Sequence, residues 1–77
     1  MDQHHLIEMA NQIGSFFESM PDREEATASV ADHIRRFWEP RMRRALYAAF
    51  DASTPGMSEI VSNALTKYRE QLTPVAA

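Results

Sequence analysis

Residues 33–50 read HIRRFWEPRMRRALYAAF, and the fold turns on how that stretch is parsed around Pro40. Apolar residues recur at spacings of three and four on both sides of the proline. That is the period of an α-helix, not the alternation of a strand. A proline pushes the residue before it out of the α region, so one helix should break at Glu39. Proline also suits the first turn of a following helix, where its missing N–H is not needed. Upstream, a helix is expected over 23–37, with Ala26, Val30, His33 and Phe37 as its main apolar stripe and Ala31, Ile34 and Trp38 as a second edge. Downstream, a helix over 40–51 would bury Met42, Ala45, Leu46, Ala49 and Phe50.

The same period extends in both directions. Leu6, Met9, Ala10, Ile13, Phe16, Phe17 and Met20 predict a first helix over 3–20. At 100° per residue they fall in one arc of about 120°, an ordinary core stripe. Gly14 lies at the edge of that arc beside Ile7. A helical glycine costs about 1 kcal/mol against alanine, and close approach of another helix would account for it. Asp22 can cap the second helix, with Glu25 at the position of a capping-box partner. Glu24 and Glu25 put negative charge where the helix dipole favours it. Residues 52–56, ASTPG, are a turn by composition. A fourth helix over 57–72 follows, its apolar face made of Val61, Ala64, Leu65, Tyr68 and Leu72. Residues 73–77 are expected to fray. The expectation is a single all-α domain, a small bundle of about four helices.

Size and composition limit what such a bundle can do. The chain has 77 residues and no cysteine, which excludes disulfides and thiolate metal sites. Below roughly 70–80 residues one core seldom supplies more than about 3–5 kcal/mol. Without disulfide or metal, a partner or a homodimer is the expected support. Apolar runs are far shorter than the ~20 residues that cross a bilayer. The N-terminal MDQHHLIEMA is acidic and polar, unlike a signal peptide. A cytoplasmic, unprocessed protein is therefore the expectation.

Catalytic and metal-ligating patterns are missing from the sequence. The two glycines, Gly14 and Gly56, form no phosphate-binding loop. No serine sits in a nucleophile-elbow pattern. His4 and His5 are neighbours and point about 100° apart on a helix, so they cannot share a metal. There is no H-E-x-x-H and no Glu-x-x-His of the di-iron type. His33, on an apolar stripe, reads as a half-buried, hydrogen-bonded core residue. The expectation is no catalytic, cofactor-binding or metal-binding residue in this chain.

Charge is the exception to this plainness. Residues 35–44 hold five arginines and one glutamate, a charge of +4, while the rest of the chain carries −7. Such asymmetry marks an interaction surface or a solvated face with internal ion pairs. Arg41, Arg43 and Arg44 crowd the positive end of a helix dipole and call for an anion. On the helical wheel Arg44 and Tyr47 lie opposite the apolar stripe, so burial of either would have to come from another chain. Trp38, beside the proline break, can serve core or interface. Trp38, Arg41, Arg43, Arg44 and Tyr47 are therefore the candidate partner-binding residues. A basic second helix after a short turn also resembles a helix-turn-helix, but the pI near 5.5 is unlike that of a DNA-binding domain. No separate lipid-facing stripe backs the basic residues, so membrane binding is not expected.

Three blocks carry a family resemblance. They are MANQI at 9–13 with Phe16-Phe17 after it, PDREEA at 21–26, and HIRRFWEPRMR at 33–43. In order and spacing they resemble the delta subunit of bacterial NAD-dependent formate dehydrogenase, the molybdenum- or tungsten-containing type, over roughly residues 6–65. The resemblance implies a chain without a redox centre of its own, joined to larger subunits. Those hold bis-guanylyl-molybdopterin with Mo or W, iron–sulfur clusters, FMN and the NAD site. It implies an accessory subunit that stabilises or assembles the complex, with the alpha subunit as first partner. A transient assembly or cofactor-insertion factor for alpha is the alternative, and a nucleic-acid-binding regulator a more distant one.

Overall fold

The structure is a computed structural model and describes residues 2–74. It contains α1 (Gln3–Phe17), α2 (Arg23–Phe37), α3 (Pro40–Asp51), α4 (Glu59–Lys67) and the single turn α5 (Arg69–Leu72), with no strand among the described residues. The expected frayed tail lies mostly at 75–77, outside the described residues.

Helix ends follow local chemistry. Asp2 caps α1, accepting from the His4 N–H at 3.0 Å. Asp22 caps α2, its carboxylate accepting from the N–H groups of Glu24 at 3.0 Å and Glu25 at 3.3 Å. Only this half of the capping box forms among the described residues. Glu39 is extended at ψ 154°, and Pro40 opens α3. α1 stops at Phe17 instead of Met20: the chain closes a tight turn, with Met20 N–H donating to the Phe17 carbonyl, before Pro21.

α4 packs mainly against α2, meets α1 at its own first turn, and leads into α5, while α3 packs on α1. Ile60, Val61, Ala64 and Leu65 are fully buried on α4. The contact with α1 is at Gly14, where an added Cβ would stand 2.7 Å from the Ile60 Cγ2 and 3.1 Å from the Val61 Cγ2. The glycine is thus the close approach that its place at the stripe edge predicts. Asn11 fixes the same junction with both ends of its amide: Nδ2 donates to the Gly56 carbonyl at 2.8 Å, and Oδ1 accepts from the Ser58 N–H at 2.9 Å. Gly56 sits at φ +105°, a conformation reserved for glycine.

Packing against their neighbours (α2 and α3 for α1, α1 and α4 for α2) rolls both helices about their axes relative to the stripes expected from sequence. On α1 the buried residues are Leu6, Ile7, Ala10 and Gly14, while Phe16 is 74% exposed. On α2 the expected second edge is the core: Ala31, Ile34 and Trp38 are buried together with Ala26, Thr27 and Val30. Phe37, expected on the main stripe, is 70% exposed. A helix in a bundle buries the arc between its neighbours, and α4 with α5 covers the Ala31 side of α2. Sequence period alone locates an apolar arc but not which half of a wide arc finds a partner.

The fourth helix also differs from one continuous helix over 57–72. It breaks at Tyr68, φ −110° and ψ 28°, and restarts as α5. Nothing in the TKYRE stretch at 66–70 is a helix breaker, so the cause is tertiary. The bend turns Leu72 into the core, where it is fully buried. It also leaves carbonyls at the end of α4 without helical partners, and α3 supplies one of the replacements.

Candidate docking surface

Three of the five residues singled out from sequence face inward. Tyr47 is only 6% exposed, which corrects the expectation that the wheel places it away from the core and that only another chain could bury it. The correction follows from the bend at Tyr68. The Tyr47 hydroxyl donates to the Leu65 carbonyl at 2.8 Å, taking the place of a lost intrahelical bond. The Arg69 guanidinium lies 4.8 Å above its ring and donates to Asp51 at 2.6 Å. Arg43 is half-buried; its Nη1 donates to the Leu72 carbonyl at 3.2 Å, and its buried Nε has no partner. In place of the expected anion, this arginine meets the neutral carbonyl at the end of α5. Trp38 is 6% exposed and belongs to the core, yet one side of it walls an open hollow.

Arg41 and Arg44 are exposed, and among the described residues neither has an ion-pair partner. Arg35 and Arg36 share Asp32 at 3.3 and 3.0 Å. Such exposed pairs contribute little to stability. The basic run is therefore split: two arginines are compensated, one is structural, and two face water without a counter-charge.

Burial pushes the Tyr47 phenol up to about 12, with Arg69 pulling the other way. The hydrogen bond from Arg69 lowers the Asp51 carboxyl. For Tyr47 the folded-state value lies above the ordinary 10.0, so ionisation favours the unfolded chain. Its contribution is intact below about pH 10 and is lost as pH rises towards 12. Tyr47→Phe should cost about 1–3 kcal/mol, because the Leu65 carbonyl loses its donor. It should also flatten the alkaline loss of stability between pH 9 and 11. Urea titrations of both proteins at those two pH values would expose an error in either statement.

The surface that sequence reasoning missed lies between α1 and α2. Met9, Gln12, Ile13, Phe16 and Phe17 from α1, with His33 and Trp38 from beyond it, line an open cavity of about 450 Å³. A second, more polar hollow of about 410 Å³ adjoins it, walled by Phe17, His33 and Phe37 together with Glu25, Asp32 and Arg36. The rings of Phe16 and Phe17 meet edge-on at 5.0 Å, and His33 stands 6.3 Å from Phe17 and 4.8 Å from Phe37. Among the described residues His33 has aromatic neighbours in place of the expected hydrogen bond. Single exposed apolar residues are ordinary, but Phe16 on the first hollow and Phe37 on the second, joined through Phe17 and His33, which line both, form a patch. The signal in the sequence was the pair of adjoining apolar edges on the second helix, of which a small bundle covers only one. Among the described residues no group of three His, Cys, Asp or Glu side chains stands where it could hold a metal, and no helix is long and apolar enough to cross a membrane.

The family described as "NADH-dependant formate dehydrogenase delta subunit FdsD" matches residues 5–65 of the 77. This chain belongs to that family. The match spans α1 to most of α4 and contains the three blocks quoted above, so the resemblance they carry is established. No curated protein and no solved structure matches. Membership makes the chain a delta-subunit-family protein of a multi-subunit formate dehydrogenase. The groove, Phe16, Phe37 and Trp38 all fall within the family's span; α5 and its Arg69 and Leu72 contacts fall beyond it.

Proposed function

We propose that this delta-family chain is a non-catalytic accessory subunit that stabilises or assembles its formate dehydrogenase through protein–protein contacts. The observation that carries this reading is the apolar groove of α1 and α2, left open with Phe16 74% exposed on it and Phe37 70% exposed on the hollow beside it. A domain this small has little core to spare, and large aromatics left in water are best explained by a surface that a larger subunit covers. The alpha subunit, in the cytoplasm, is the proposed partner. Purification of the native complex tests the reading. A band stoichiometric with the large subunits in active enzyme is expected. Its absence from active enzyme, with capture only on immature alpha, would favour the transient assembly or cofactor-insertion factor instead.

The uncompensated arginines are proposed to belong to the same contact. Arg41→Ala with Arg44→Ala should weaken partner co-purification while leaving helicity by circular dichroism unchanged. Truncating a hot spot costs at least about 2 kcal/mol of binding, roughly thirtyfold in affinity. Unchanged co-purification would make both arginines ordinary solvated residues.

A further inference from the structure

We propose that the α1–α2 groove takes an amphipathic helix of a larger formate dehydrogenase subunit, one whose apolar face fills the groove and whose flank is acidic. This rests on the accessory-subunit reading and adds the surface and the chemistry of its occupant.

A helix is the element that fits. The groove runs between two helices, and helix-in-groove docking uses apolar anchors at i, i+3, i+4 and i+7. Among the described residues there is no sheet edge to which an extended segment could add. The lining is Met9, Ile13, Phe16, Phe17 and Trp38, with Gln12 and His33 the only polar side chains and no carboxylate.

Charge selects the flank. Of the five arginines between Asp32 and Arg44, Arg35 and Arg36 share Asp32 and Arg43 is tied to the Leu72 carbonyl, which leaves Arg41 and Arg44 without a counter-charge among the described residues. Arg41 lies three residues beyond Trp38, so its Cα is within about 11 Å of the groove wall even if the chain were fully extended. Arg36 walls the adjoining hollow together with its ion-pair partner Asp32 and with Glu25, so it adds no free charge there. An incoming carboxylate at the Trp38 end of the groove would therefore have Arg41 as an uncompensated counter-charge. The same charge argues against a second copy of this chain as occupant, since a two-fold contact would bring two copies of the basic segment into one small interface.

The test uses the full-length chain in its native host, with the photo-crosslinking residue benzoylphenylalanine replacing Phe16, Phe37 or, as a control on the outer face of α4, Asn63. Cross-links from positions 16 and 37 should map to one segment of a larger subunit that has helical apolar spacing and carboxylates on one flank. Phe16→Ala with Phe37→Ala should lower affinity for that subunit by about thirtyfold or more, with unchanged helicity, because both rings are exposed. Cross-links from 16 and 37 to another copy of this chain would overturn the proposal, as would a partner segment without carboxylates. Cross-links from 63 alone in an intact complex would also overturn it, by showing the groove bare. If the unsubstituted chain fails to accompany the dehydrogenase at all, the accessory-subunit reading fails first and the proposal falls with it.

Discussion

Trp38→Ala is expected to leave the isolated chain largely unfolded at 25 °C. Trp38 is the largest side chain of the core, 6% exposed, and it joins α2 to the break before α3. Truncating a buried Trp or Phe to alanine costs about 3–5 kcal/mol. A single core of this size seldom supplies more than about 3–5 kcal/mol in total, so the two nearly cancel. Far-UV circular dichroism is the suitable measurement, because Trp38 is also the only tryptophan and its fluorescence is lost with it. Trp38→Phe keeps an aromatic ring in the site and should retain the helical signal with a lowered melting temperature. A Trp38→Ala protein that melts within a few degrees of the parent would show that Trp38 is peripheral to the core. Full binding by Trp38→Phe would place the docking contacts on Phe16 and Phe37.

Gly14→Val should destabilise the chain by about 3 kcal/mol or more, although glycine is the poorer helix former. At this position the Cβ alone would lie 2.7 Å from the Ile60 Cγ2 and 3.1 Å from the Val61 Cγ2. Both neighbours are β-branched and stiff at χ1, so they cannot swing aside cheaply. Overpacking a well-packed core typically costs about 1–3 kcal/mol, and valine adds two methyl groups beyond the Cβ that already collides. For Gly14→Ala the gain in helix propensity, about 1 kcal/mol, offsets part of the clash, so a smaller loss is expected. Denaturant titration of the three proteins should rank them glycine, alanine, valine in falling stability. An alanine variant more stable than the parent would mean that α4 gives way easily and that Gly14 is not what sets the α1–α4 distance.

Both substitutions act at places where sequence and structure agree to different degrees. Gly14 could be read as a close approach from its position at the edge of the α1 stripe, but not which helix comes near it. Trp38 could be read only as core or interface, and it turns out to be core with one face on a groove.

Helix type and most ends were legible in the sequence because short-range chemistry decides them. Asp22 supplies a cap within its own turn, Pro40 acts on its immediate neighbours, and Gly56 permits a backbone angle that other residues avoid. The delta-subunit family was legible for a related reason, since its signature blocks are continuous in the chain. The direction in which each apolar arc faces was decided by tertiary structure alone. Where the neighbouring helices pack, α4 and α5 on α2 and α2 and α3 on α1, determines that Ile34 and Ala31 are buried while Phe37 and Phe16 stay in water. Tyr47 is the clearest case. Its burial depends on a helix break 21 residues away at Tyr68, made without any breaking residue, that exposes the Leu65 carbonyl to its hydroxyl and sets Arg69 over its ring. A helical wheel records angles within one helix. It carries no information about where a distant segment lands, and that is why the sequence could point to a partner-binding chain while the groove between α1 and α2 came into view only in the folded molecule.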